Sequence, residues 1–302
     1  MQSHAMRADS RLTDVCFTDP QFGWAVGDRG AIWHTQDGGN RWRLQKSGTG
    51  CGLQSVHFID RHNGWAVGGY SHPHSHTGSG IILITHDGGQ HWQLDSKLLL
   101  PALKQARFFD AKHGWAVACP SAMFPTGLFV TDSGGRSWKP VHGEALRGIQ
   151  AADFFAEHTG VAARQDGTAL VLRNGSVGTA SPGDFGLRGL ARMKLVPPSY
   201  GWLVGDGGLV MMTLDGGVSW QTTPADLPQG TAGEFDFAAL AVRGTKVWIA
   251  GSPGTRVFHT PDAGLNWFEA NTGQNLPLRG LHFVDDQYGW AVGELGTILA
   301  TT

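Results

Sequence analysis

Three histidines, His72, His74 and His76, fall close together in the segment GYSHPHSHTGSG (Gly69–Gly80). Alternate spacing in an extended segment points all three imidazoles the same way. Imidazole suits zinc, copper or nickel. Cys51 leads into the same stretch and Cys119 opens a second irregular segment, CPSAMFPTG (Cys119–Gly127). A mixed His/Cys site for zinc or another transition metal is therefore open, beside the plainer alternative of a solvated histidine loop. The same two cysteines could instead pair as a disulfide. Cys16 reads as a small buried hydrophobe.

A second group is cationic. Leu-Arg-Gly recurs at Leu146–Gly148, Leu187–Gly189 and Leu278–Gly280, which places Arg147, Arg188 and Arg279 at similar positions. Lys104 and Arg11 take comparable lead-in positions, with Arg192 nearby. Guanidinium groups bind carboxylates in a bidentate fork. The fitting ligand is a peptide C-terminus or an acidic segment. The alternative is a rim of unrelated, solvated arginines. Asp184, Glu234 and Asp236 would matter as acids or bases only in an enzyme. Phe185 and Phe235 read either as apolar contacts or as core.

These groups need a scaffold, and the scaffold is repetitive. GWAVG occurs at Gly23–Gly27, Gly64–Gly68 and Gly289–Gly293, with variants at Gly114–Ala118, Gly201–Gly205, Thr159–Ala163 and Val247–Gly251. The Trp positions are Trp24, Trp65, Trp115, Val161, Trp202, Trp248 and Trp290, a period of roughly 44 residues, that of a four-stranded propeller blade. Most copies are followed by Thr-x-Asp-x-Gly-x-x-Trp, the Asp-box: Thr35–Trp42, Thr85–Trp92, Thr131–Trp138, Thr213–Trp220 and Thr260–Trp267. Asp closes the turn on backbone N–H groups and Gly supplies positive φ. Ser133 stands where the third copy expects Asp, and the fourth repeat has no box.

The expected fold is all-β: a seven-bladed β-propeller of four-stranded antiparallel blades, one domain over residues 1–302. Repeat seven stops after its third strand, so residues near 1–8 are expected to complete the last blade and close the ring. This would remove an exposed strand edge. Loops joining strands two to three, and each blade to the next, share one face. The His loop, the Cys119 insertion and the arginines belong to that face, where irregularity on a regular scaffold suggests function. The boxes mark the opposite face.

Composition narrows the function. Lys plus Arg is 23 against 25 Asp plus Glu, a formal charge of -2, which argues against a nucleic-acid binder. The three cysteines are too few for a disulfide framework. No apolar run suffices for a membrane span. The opening MQSHAMRADS has no apolar core and reads as no signal peptide, which leaves the compartment open.

The repeated F-x-D-x-x-x-G-W-A-V-G followed by T-x-D-G-G-x-x-W resembles the photosystem II stability/assembly factor family, over essentially the whole chain. The resemblance implies a lumenal or periplasmic, chaperone-like propeller, expected as a monomer. Its partner would be the precursor of a photosystem II reaction-centre subunit, bound with the help of an arginine patch. On this basis the chain is expected to be a non-catalytic scaffold that binds a protein or peptide segment on its arginine-bearing face. The alternatives are a metal-dependent enzyme built on the His72/His74/His76 loop and an Asp-box glycoside hydrolase. A sialidase-type site would need a Tyr nucleophile. Of Tyr70, Tyr200 and Tyr288, the last two fall in turns on the box face, the wrong side. The Arg-Ile-Pro signature of those enzymes is absent.

Overall fold

The computed structural model describes residues 10–71, 78–94, 99–164, 166–174, 176–179, 188–231, 233–254 and 256–301. Among them the strands form seven sheets in sequence order, six with four strands and the last with three. These are the blades of a seven-bladed β-propeller. Among the described residues the only helical pieces are three short 3-10 turns, at Asp28–Gly30, Glu144–Leu146 and Glu294–Gly296. The segment expected to close the last blade, residues 1–8, lies outside the described residues apart from its continuation at Ser10.

Two compact units divide the chain. The first holds blade one (Leu12–Phe17, Gly23–Gly27, Ile32–Thr35, Arg43–Leu44), blade two (Gly52–Phe58, Gly64–Ser71, Gly78–Thr85, Gln93–Leu94) and blade three (Leu103–Phe108, Gly114–Ala118, Leu128–Thr131, Lys139–Pro140). It also holds Gly289–Gly293 and Ile298–Ala300 of blade seven. The second unit holds blade four (Ile149–Ala156, Thr159–Arg164, Ala169–Arg173, Ser176–Thr179), blade five (Leu190–Val196, Tyr200–Gly205, Val210–Thr213, Gln221–Thr222) and blade six (Asp236–Arg243, Lys246–Ser252, Arg256–Thr260, Phe268–Asn271). Leu278–Phe283 of blade seven belongs with it.

The repeated words of the sequence turn out to be joints between blades. In the first unit, the Trp of one blade stacks flat on the Phe that ends the inner strand of the next. Centroid distances are 3.6 Å for Trp24–Phe58, 3.8 Å for Trp65–Phe108 and 3.5 Å for Trp290–Phe17. The box Trp of the receiving blade meets the other side of the same Phe edge-on, as in Phe58–Trp92 at 5.9 Å and Phe108–Trp138 at 5.9 Å. Each indole N–H then donates to a box carbonyl of the next blade: Trp24 to Gly88 (3.0 Å), Trp65 to Gly134 (2.8 Å) and Trp290 to Gly38 (2.9 Å). The buried N–H is satisfied and the two blades are locked in register.

This joint explains the glycines around the tryptophan. A Cβ on Gly64 would lie 2.3 Å from the Phe58 ring, so only glycine lets that ring lie flat. A Cβ on Gly68 would lie 2.1 Å from the Gly52 carbonyl, where the inner strand bulges.

The box turns form as expected. Asp37 accepts the Thr35 hydroxyl (2.9 Å) and the Arg41 N–H (2.9 Å), while Gly39 N–H donates to Thr35 Oγ1 (2.9 Å). Asp87, Asp215 and Asp262 repeat the pattern. In blade three the Ser133 hydroxyl accepts Ser137 N–H at 2.9 Å, so serine closes the turn without a charge. The box Trp stands just before the outer strand and does not begin it. Four of the outer strands are accordingly only two residues long. Blade four replaces the box with a tight hairpin. Arg173 pairs with Ser176, and Asn174 between them takes φ 48°. Val161, where other blades have Trp, packs with Met193, Leu195 and Trp220.

Candidate functional site

The cations read from the sequence differ in how much of each remains available. Arg11 is paired with Asp28 at 3.1 Å, and Arg147 with Glu144 at 3.2 Å. Arg192 is half-buried and donates to the Ala191 carbonyl at 3.3 Å. Lys104 is half-buried at a bulge of its inner strand, where Leu103 pairs Ala118 and Gln105 pairs Val117. Arg279 is half-buried behind fully buried Leu278. Arg188 is exposed and lies over the turn at Gly207, with no ion pair among the described residues. In the second unit the inner strands of blades four to seven follow one another side by side, with Arg147 just ahead of the first of them. Arg188, Arg192 and Arg279 thus fall along one series of strands. Lys104 and Arg11 belong to the first unit.

The insertions are where the sequence put them. In blade two the second and third strands extend to the pair Ser71–Gly78, a ribbon longer than its counterparts. Its tip, with His72, His74 and His76, lies outside the described residues. In blade three the insertion is pinned by Cys119 N–H to the Ala102 carbonyl (2.8 Å), while Phe124 packs edge-on against Phe129 at 5.2 Å. Cys51 is half-buried and Cys119 exposed, and both thiols are free, so the disulfide alternative is not realised. Among the described residues no three His, Cys, Asp or Glu side chains are grouped to hold a metal.

The enzyme-like candidates thin out. Phe235 is core, 1% exposed and packed against Phe237 and Phe258. Asp236 accepts the Gly207 N–H at 2.9 Å. Burial, and then the neighbouring Asp236 charge, push the Asp206 carboxyl up. Asp184 and Phe185 lie outside the described residues. Tyr200 sits beside the box of its blade, where Gly216 N–H donates to the Ser199 carbonyl at 2.7 Å.

Sequence reasoning missed a cavity of about 810 Å³ between blades one and two, on the box side. Its lining includes Arg41, Arg43, Lys46 and Arg61, with Phe22 and His34 as an aromatic floor. Arg61 stacks over Phe22 at 4.2 Å and pairs with Asp19 at 2.7 Å. His34 stacks on Trp24 at 4.8 Å; burial, reinforced by the Arg43 charge, holds its pKa below the usual histidine range. Gln45 braces the rim. It accepts Trp92 Nε1–H and donates to the Gly88 carbonyl, both at 3.0 Å. The available signal was the run Arg41-Trp42-Arg43-Leu44-Gln45-Lys46, with arginine on both sides of the box Trp, which no other box has.

Seven antiparallel blades, five of them carrying box turns, define an Asp-box β-propeller. The chain matches the family described as photosynthesis system II assembly factor YCF48 over residues 2–93 and 189–280, and it belongs to that family. The photosystem II assembly protein Ycf48 of Synechococcus sp. (strain JA-3-3Ab) is 26% identical over 298 residues, covering 95% of this chain and 84% of that protein. The photosystem II assembly lipoprotein Ycf48 of Synechococcus sp. (strain CC9902) is 32% identical over 105 residues, a match to 35% of this chain and 30% of that protein. A solved structure of YCF48 bound to a D1 peptide shares the fold, with a TM-score of 0.74 and 21% identity, covering 100% of this chain and 94% of that one. Among the described residues no helix is long and apolar enough to cross a membrane.

Proposed function

We propose that this chain is a non-catalytic assembly scaffold that binds a protein or peptide segment on the side bearing Arg188, Arg279 and the loop insertions. Family membership carries the proposal, and the D1 peptide held by the YCF48 structure supplies the kind of ligand. Arg188 is the best-placed anchor. It is exposed and makes no ion pair among the described residues, whereas Arg11 and Arg147 already hold carboxylates of this chain. A ligand carboxylate would gain a charge-assisted, bidentate contact there. Arg279 and Arg192 add positive potential along the neighbouring strands. We place the scaffold outside the cytoplasm, as a monomer, in keeping with the lipoprotein relative.

The test is fluorescence anisotropy with a labelled D1 peptide, in free-acid and C-terminally amidated forms. The reading expects Arg188→Ala/Arg279→Ala to weaken binding about tenfold or more, as for truncated charge pairs. It also expects the amidated peptide to bind less tightly. Equal binding by the double variant would refute the arginine-bearing face. No binding of any D1 peptide would refute the ligand class.

A further inference from the structure

The cavity between blades one and two does not belong to the proposed arginine face, since it opens beside the box turns. It is far larger than the joint itself requires. Its volume of about 810 Å³ falls within the usual range for ligand sites. Four cations line it against two carboxylates, Asp37 and Asp87. Both carboxylates are already spent on their box turns, Asp37 on Thr35 and Arg41 N–H, Asp87 on Thr85 and His91. Among the described residues Arg41, Arg43 and Lys46 make no side-chain hydrogen bond or ion pair and all three are exposed, whereas Arg61 is held by Asp19.

The fold does not demand these charges. At the positions of Arg41 and Arg43, flanking the box Trp, the other boxes have His91 and Gln93, Ser137 and Lys139, Ser219 and Gln221, or Asn266 and Phe268. Nothing else in the repeat needs arginine twice. The arrangement is also linear. Arg41 belongs to the box turn, Arg43 opens the two-residue outer strand and Lys46 follows it, while Trp42 between them turns inward to meet Phe17 at 5.8 Å. Arg43–Leu44 is the outermost strand of its sheet and pairs only with Trp33 and His34. Its other edge can receive an extended chain. A lone phosphate would want cations converging on one point. An acidic peptide wants them spread along an edge, with an apolar floor for the side chains between. Phe22 and the 60% exposed Leu44 offer that floor.

We propose that the cavity between blades one and two is a second peptide site, which takes an extended acidic segment. Binding at this site is independent of Arg188 and Arg279, so one scaffold can hold two segments.

The probe is a fluorescein-labelled peptide of alternating glutamate and phenylalanine, with a glutamine-for-glutamate control, titrated against the full chain. The wild type should bind the glutamate peptide and lose it as salt rises. Arg43→Glu/Lys46→Glu should weaken it about tenfold or more, while Arg188→Ala/Arg279→Ala leaves it unchanged. Both altered pairs include exposed side chains, and unchanged circular-dichroism melts will show that the fold is intact. Leu44→Asp, which spoils the floor without removing a cation, should also weaken the peptide. Equal binding by Arg43→Glu/Lys46→Glu, or loss only with Arg188→Ala/Arg279→Ala, would overturn the site. Pyrophosphate binding more tightly than the peptide at the same cations would overturn the peptide class.

Discussion

Removing the indole of Trp65 tests the joint most severely. Trp65 is 1% exposed, stacked on Phe108 at 3.8 Å, and donates to the buried Gly134 carbonyl at 2.8 Å. An aromatic of this size buries about 150–250 Å², which at about 25 cal/mol/Å² amounts to roughly 4–6 kcal/mol. Phe or Trp truncations in cores cost about 3–5 kcal/mol, and the orphaned carbonyl adds about 1 kcal/mol or more. We expect Trp65→Ala to cost about 5 kcal/mol, a large share of a typical domain's stability. Trp65→Phe keeps a ring over Phe108 but cannot reach Gly134, so about 1–3 kcal/mol is expected. Urea titration followed by far-UV circular dichroism reads both variants. If Trp65→Ala unfolds within about 0.5 kcal/mol of wild type, or no earlier than Trp65→Phe, the joint does not hold the blades as argued.

Four further outcomes follow from the same geometry. The box aspartates make stability acid-sensitive: for Asp87, burial alone would raise the carboxyl, but hydrogen bonds from His91 and Thr85 outweigh it and hold the pKa at about 2. A depressed acid contributes stability above its unfolded value near 3.9 and loses it as pH falls toward the folded value. Melting temperature should therefore be flat from pH 7 to about pH 5 and fall below about pH 4, with a shallower fall in Asp87→Asn. Val161→Trp, which restores the repeat's consensus, should destabilise by about 1–3 kcal/mol through overpacking: a Cβ on Gly217 would already lie 2.2 Å from Val161, so a higher urea midpoint would contradict the packing. Tag-free protein analysed by ICP-MS should carry no stoichiometric metal; near one metal per chain, lost in His72→Ala/His74→Ala/His76→Ala, would move the chemistry to the histidine ribbon. Finally, we propose that residues 1–302 form one domain, which requires a single calorimetric transition; two separated transitions would assign the two compact units independent stability.

The fold was legible because its words are joints and turns, and both are local chemistry repeated. A Trp at the second position of the GWAVG strand, or a Thr two before an Asp, specifies its contacts nearly unaided. Blade four shows the limit. Its box is gone, yet an Asn174 turn restores the hairpin, and Val161 with Leu195 refills the joint with smaller groups. The site was less legible, because pairing is a matter of three-dimensional neighbours. Arg11 and Arg147 look equivalent to Arg188 in the sequence. Only their rotamers and the nearby Asp28 and Glu144 separate them. Phe235, in a long polar loop, is core because Phe237 and Phe258 surround it. The cavity was hidden for the same reason: its lining comes from two blades, and no single repeat contains it.

The contact of Trp290 with Phe17 and Gly38 bears on the order of events at synthesis. The Trp24 and Trp65 joints have donor and acceptor only 64 and 69 residues apart. Here acceptor and donor stand 252 residues apart. Until those intervening residues have been made, Phe17 offers a bare aromatic face and Gly38 an unanswered carbonyl. A nascent chain would expose that patch until Trp290 emerged, and a holding chaperone would find its footing there.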